Sequence, residues 1–172
     1  MKLALTGRPG IGKTTACLKI YENLKDEIEI SGFVTKEVRE RGRRVGFKLV
    51  NLKSGEESWL AKVGEGNVKV GKYAVFVENL DEFLDTISLS ADVIILDEVG
   101  PMELKSRKFV NFVEKITKRD GVILTIHYKS RHPLLEKIRS TFDVVVLTEA
   151  NRDRVVEEVV EIVRGGKSEN SR

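Results

Sequence analysis

The chain has 172 residues, 41% hydrophobic and 33% charged, the composition of one globular domain with a proper buried core rather than a disordered or fibrous chain. Thirty Lys and Arg against 27 Asp and Glu leave a net charge of only +3, which argues against a dedicated nucleic-acid or membrane-surface binder. One cysteine, Cys17, excludes an intramolecular disulfide and a multi-cysteine metal site, and two histidines, His127 and His132, leave little for a histidine-rich one.

Apolar runs such as Val93–Leu96 and Val144–Leu147 are four residues long, against the roughly 20 of a spanning helix. The apolar stretch at Met1–Gly7 is too short for a signal peptide. A cytoplasmic, monomeric protein without a membrane partner is the expectation. The chain contains no Gln and is rich in Lys, Glu, Arg and Val, the compositional tilt of a thermophile.

In chain order, Lys2–Thr6 is a short strand running into a glycine-rich turn. Cys17, Ile20, Tyr21, Leu24 and Ile28 then fall at helical spacing, predicting a helix over Lys13–Glu27. Gly32–Thr35 and Val45–Val50 read as extended, with Arg41-Gly42 as the turn between them, so residues 31–62 are expected to form an inserted antiparallel β-hairpin. Gly64, Gly66 and Gly71 mark a loop before a short strand at Tyr73–Val77. Leu80, Phe83, Leu84 and Ile87 form one helical face, with Asn79 and Glu82 spaced as a cap and its partner three residues on. Val93–Asp97 is a strand; Phe109, Phe112, Val113 and Ile116 make a helix; Val122–Ile126 is the next strand.

Pro133 opens a helix carrying Leu134, Leu135 and Ile138. Val144–Leu147 is the last strand, and Val155, Val156, Val159, Val160 and Val163 stripe the final helix. Continuous apolar strands alternating with amphipathic helices predict an α/β fold of three layers, with a mostly parallel central sheet. One domain over 1–165 and a flexible tail over 166–172 are expected.

Gly7-Arg8-Pro9-Gly10-Ile11-Gly12-Lys13-Thr14 fits the P-loop pattern and sits between a strand and a helix. Its glycines let successive N–H groups turn toward phosphate oxygens, and the helix aims its positive end at the same point. Residues 7–15, Thr15 included, are the candidate nucleotide-binding segment. Lys13 is expected to reach the β- and γ-phosphates and Thr14 to ligate Mg²⁺. Val93-Ile94-Ile95-Leu96-Asp97-Glu98 is a buried strand ending in two carboxylates at the carboxyl edge of the sheet. Asp97 is expected to hold Mg²⁺ through water, and Glu98 to polarise the attacking water. The plainer alternative is that one of these acids caps the next segment. The adjacent acid favours a hydrolase over a kinase, which would shield its γ-phosphate from water.

Asp97-Glu98-Val99-Gly100-Pro101-Met102-Glu103-Leu104 resembles the signature of the thermophilic nucleoside-triphosphate phosphatases, a family of P-loop NTPases that includes the cancer-related nucleoside-triphosphatase. Gly32–Arg39, then Gly42, Arg43, Arg44, Gly46 and Phe47, and Asn151-Arg152 extend the resemblance over nearly the whole chain. It implies Mg²⁺-dependent hydrolysis of ATP, GTP and other ribonucleoside triphosphates to the diphosphate and phosphate, with broad base tolerance. It also marks Arg39 and Arg44 as candidates for neutralising transition-state charge. Solvated arginines guarding a hairpin edge are the alternative.

Asn151 and Arg152 follow the last strand, where a base could be contacted, yet Asn151 could equally cap the valine-striped helix. Thr125 and Arg131 are candidate γ-phosphate sensors, His127 a hydrogen-bonded structural residue and Cys17 core packing. A nucleotide or small-molecule kinase is the alternative function, with only Lys129–His132 as a short lid. A GTP-dependent switch is disfavoured because Asn151-Arg152-Asp153-Arg154 has Arg where guanine selection needs an acid. No DNA partner is indicated; an RNA link through the arginine hairpin is open.

Overall fold

In Lys2–Thr6 (β1), side chains alternate between two cores: Leu3 and Leu5 enter one cluster and Ala4 the other. The strand is therefore buried on both faces and sits inside a layered α/β molecule. The computed structural model describes residues 1–170. After β1 come α1 (Lys13–Leu24), β2 (Ile30–Glu40), β3 (Arg43–Asn51), β4 (Glu57–Val63), β5 (Lys69–Val70) and β6 (Tyr73–Val75). They are followed by α2 (Val77–Leu84), β7 (Val93–Val99), a 3₁₀ turn at Glu103–Lys105, α3 (Arg107–Ile116), β8 (Val122–Ile126), α4 (Pro133–Thr141), β9 (Asp143–Val146) and α5 (Arg152–Asn170).

The nine strands of the described residues join one sheet in the order β5-β6-β4-β3-β2-β7-β8-β1-β9. One core cluster packs α1 and α5 against one face; the other packs α2, α3 and α4 against the opposite face. No helix among the described residues is long and apolar enough to cross a membrane.

The sheet is mixed, which corrects the expectation of a mostly parallel one. Strands β2, β7, β8, β1 and β9 pair in parallel, while β2-β3-β4-β6-β5 pair antiparallel. The hairpin is also not a separable insert over 31–62. Ile30–Phe33 pair in parallel with Val93–Leu96 in the core, and from Phe33 onward the same strand pairs antiparallel with β3. One continuous strand thus serves both halves, because Phe33 is buried at the change of partner against the rings of Phe83 and Phe109. The Arg41-Gly42 turn holds as expected: both residues have positive φ, and Glu40 pairs with Arg43.

Other boundaries shift for local reasons. Asn79 does not cap α2, which has Phe76 at its N-cap. Its side-chain amide instead donates to the Trp59 carbonyl, tying α2 to β4. β6 accordingly ends at Val75, two residues before the expected strand end. A flexible tail is expected from 166, but α5 runs through Gly165 and Gly166 to Asn170. Glycine in a helix costs about 1 kcal/mol against alanine without forbidding helical dihedrals. Ser171 and Arg172, part of that expected tail, lie outside the described residues.

Phe33→Ala should destabilise the fold by about 3–5 kcal/mol, since a large aromatic would leave a cavity beneath both sheet halves. Urea unfolding measures the loss.

Candidate active site

Parallel register brings the carboxyl ends of β1, β7 and β8 to one level, with Leu5 and Asp97 both paired to Thr125. The P-loop leaves β1 at this edge and returns as α1. Gly7, Gly10 and Gly12 all take positive φ, so the loop curls where residues with a Cβ would be strained. Gly12 is the N-cap and supplies no side-chain cap, which leaves the first N–H groups of α1 without a side-chain acceptor. Lys13 Nζ donates to the Gly7 carbonyl at 2.8 Å, laying its charge across the loop.

Asp97 is completely buried. Its Oδ2 accepts the Thr14 hydroxyl at 2.6 Å and the Thr35 N–H at 3.1 Å, and its Oδ1 accepts the Thr125 hydroxyl at 2.8 Å. Thr35 Oγ1 also donates to the Asp97 carbonyl at 2.6 Å. Burial pushes the Asp97 carboxyl above its ordinary range, while the threonine hydrogen bonds and the charge of Lys13 oppose that shift.

The Thr14 hydroxyl and Asp97 carboxylate are hard oxygen donors in contact, a pair that fits Mg²⁺. No cluster of three or more His, Cys, Asp or Glu that could hold a metal occurs among the described residues. A cation here would draw its remaining ligands from phosphate and water.

Glu98 is the extra residue of a bulge: Asp97 pairs with Thr125 and Val99 with Ile126. The bulge frees it from strict strand alternation. Its carboxylate is partly buried and accepts no hydrogen bond from a described residue. Burial first, and then the charge of Asp97, push its pKa up to about 7, with Lys13 pulling the other way.

The remaining predicted residues divide. Arg152 Nη1 donates to the Ile11 carbonyl at 3.1 Å and lies beside Gly12. With Thr15 and Lys19 it lines a groove of about 350 Å³ next to the P-loop. Asn151 is committed elsewhere. Its Oδ1 accepts the Thr148 N–H while its own N–H donates to Thr148 Oγ1, a reciprocal capping pair that opens the turn into α5. Its Nδ2 donates to the Val146 carbonyl.

Arg8 is exposed and pairs with Glu149. Arg39 and Arg44 both pair with Glu37 on the hairpin, holding its carboxyl below the usual range, Arg44 most strongly. Arg44 also donates to the Tyr73 hydroxyl and lies over Phe47. Arg131, by contrast, is exposed in the loop after β8 and has no hydrogen-bond or ion-pair partner among the described residues. In that loop His127 accepts the N–H groups of Lys129 and Ser130. Burial, then Lys13 and Arg139, push its pKa down and keep it a neutral acceptor. Cys17 is buried, its thiol pushed well up by that burial.

A family model described as NTPase matches residues 2–160. The chain belongs to this NTPase family. The nucleoside-triphosphatase THEP1 of Archaeoglobus fulgidus is 61% identical over 165 residues, covering 96% of this chain and 100% of the relative. That of Methanocaldococcus jannaschii is 43% identical, with coverage of 96% and 99%. The crystal structure of THEP1 from the hyperthermophile Aquifex aeolicus superposes with a TM-score of 0.83 at 34% identity, covering 95% of this chain and 99% of that one. The solution structure of a human cancer-related nucleoside triphosphatase gives 0.77, also at 34% identity, with coverage of 95% and 97%. The α/β fold of this NTPase therefore agrees with solved relatives over nearly its whole length.

Two residues of the site were given no role from the sequence. Thr35 holds Asp97, although nothing local distinguishes it from other strand threonines. Glu103 stands buried beneath Glu98; the signature octet contains it, but only the fold shows what it faces. Thr125, expected as a phosphate sensor, spends its hydroxyl on Asp97.

Thr125→Val should lower stability by about 1.5–3 kcal/mol, because it removes a donor from a buried carboxylate. Denaturant unfolding measures this. Unchanged stability with weakened NTP binding would return Thr125 to the role of phosphate sensor.

Proposed function

We propose that this chain hydrolyses the β–γ phosphoanhydride of ATP, GTP and other nucleoside triphosphates, releasing the diphosphate and phosphate, with Mg²⁺ as cofactor and broad base tolerance. The observation that carries the proposal is the pair Asp97-Glu98. The first carboxylate is buried and bonded to Thr14 of the P-loop, while its neighbour accepts no hydrogen bond from a described residue. A nucleotide-binding loop beside an unclaimed carboxylate suits water as the acceptor. The similarity to proteins named nucleoside-triphosphatases supports the same chemistry.

Residues 7–15 wrap the phosphates, with backbone N–H groups and the N-terminus of α1 directed at their oxygens. Thr14 and Asp97 would hold Mg²⁺, which when bound supplies charge neutralisation at the phosphate oxygens. Glu98 accepts the proton of a water that attacks the γ-phosphorus, and the bond to the β-phosphate's bridging oxygen breaks. Lys13 moves from the Gly7 carbonyl to offset charge growing on the phosphates. Arg131 is the arginine best able to approach the γ-phosphate, since Arg39 and Arg44 are engaged with Glu37. The open groove along Thr15, Lys19 and Arg152 receives the base. The Asn151 amide is engaged with Thr148 and Val146, which favours loose base selection.

Phosphate release from ATP, GTP, CTP and UTP with Mg²⁺ tests the proposal. Wild type should release phosphate from all four. Lys13→Ala should abolish turnover, and Glu98→Gln should lower kcat by about 10²- to 10⁴-fold. Tight NTP binding without release, together with transfer to an added nucleoside monophosphate, would make the chain a kinase. Arg131→Ala should lower kcat more than Arg44→Ala does; the reverse order would move the transition-state role to the hairpin.

A further inference from the structure

Glu103 is only 3% exposed and stands in the 3₁₀ turn that follows the bulge of β7. A buried position in that turn, beside the partly buried Met102 and Leu104 that pack on the core, would ordinarily take an apolar residue. Burying a carboxyl costs several kcal/mol unless polar partners offset it. No Lys, Arg or His among the described residues pairs with Glu103. What its carboxyl faces is the backbone N–H of Gly100, its own N–H and, across Gly100, the carboxylate of Glu98.

The two carboxyls converge on one point. A methyl group on Gly100 would stand 2.8 Å from Glu98 Oε1 and 3.3 Å from Glu103 Oε2. With no Cβ at position 100, both groups lie over the same turn. The turn is fixed on all sides: Leu104 N–H donates to the Gly100 carbonyl, Ser106 N–H to the Glu103 carbonyl, and His127 N–H to the Val99 carbonyl. Ser106 in turn caps α3 through the Phe109 N–H and donates to Asp81.

We infer that Glu103 is a positioning residue for hydrolysis: its carboxyl fixes the turn over Gly100 and keeps the Glu98 carboxylate turned toward the nucleotide. The inference rests on Glu98 being the group that activates water. Burial, reinforced by the nearby charge of Glu98, pushes the Glu103 carboxyl well above its ordinary range. No metal or substrate contact is required of Glu103 itself. The effect belongs to the chemical step, because neither group contributes to the phosphate-binding loop. Rigid support of this kind decides whether a catalytic side chain is held within a fraction of an ångström of its working position.

The test is a steady-state comparison of wild type, Glu103→Ala, Glu103→Gln, Glu98→Gln and the Glu98→Gln/Glu103→Ala double variant. Thermal melting is recorded for each, and affinity is measured with a non-hydrolysable ATP analogue. Glu103→Ala should lower kcat by about 10- to 100-fold while KM and analogue affinity stay within about threefold of wild type. Glu103→Gln keeps the shape and the acceptor, and should restore kcat to within about threefold. In the Glu98→Gln background the Glu103→Ala substitution should have no further effect on kcat. The inference is overturned if Gln is as damaging as Ala, because Gln keeps the shape and the acceptor oxygen on which the support depends. It is equally overturned if the losses multiply in the double variant, or if kcat falls only in proportion to a fall in folded protein. Full activity in Glu98→Gln alone would instead overturn the role given to Glu98, whatever Glu103 does.

Discussion

A carboxylate with no access to solvent is among the most expensive groups a protein can bury, and Asp97 is such a group. Three donors from three separate parts of the chain meet it: the Thr14 hydroxyl from the start of α1, the Thr35 N–H from β2 and the Thr125 hydroxyl from the end of β8. Each such bond to a charged acceptor is worth about 1.5–3 kcal/mol, and losing one would leave the charge short of a partner. The register of the parallel strands, the position of the P-loop and the path of β2 must all agree for that carboxylate to be satisfied. Thr35 also donates to the Asp97 carbonyl, so the strand that carries the hairpin is locked to the strand that carries the acids.

Three carboxyl groups lie within seven residues of one another, and the fold gives each a different environment. Asp97 is buried and fully hydrogen-bonded. Glu98, released from alternation by the bulge, is partly buried and has no donor among the described residues. Glu103 is buried over Gly100 with no cation beside it among the described residues. Desolvation is the largest influence on all three; hydrogen bonds oppose it at Asp97 and Glu103, and the charge of Lys13 opposes it at Asp97 and Glu98. The carboxyls proposed as metal ligand, as base and as support thus differ in environment rather than in functional group.

The arginines show the same selection by partner. Arg39 and Arg44 share Glu37, and Arg44 is further held by Tyr73 and by the ring of Phe47. Those contacts give the hairpin a charged, aromatic-backed end, which discourages pairing with another strand edge. Arg131 carries the same charge with no such commitment among the described residues. Charge in the sequence is common; an unclaimed charge at the carboxyl edge of a parallel sheet is not.

By itself the sequence determined the P-loop and its flanking strand and helix, the acidic end of β7, the Arg41-Gly42 turn and most helical faces. Each of these is written in local chemistry: glycine spacing, apolar period, or residues that accept positive φ. It also carried the family through a signature of eight consecutive residues. Strand direction was not written there, because an extended apolar run looks the same whether its neighbour is parallel or antiparallel. Only the tertiary structure decided that the sheet is mixed and that β2 serves both halves. The partners of Thr35, Thr125, Asn79 and Asn151 were decided there too, since a short polar side chain does not announce which of several distant groups it will reach. Glu103 is the sharpest case: its identity is plain in the chain, but its meaning depends on a carboxyl five residues away being folded back over a glycine with no Cβ to keep them apart.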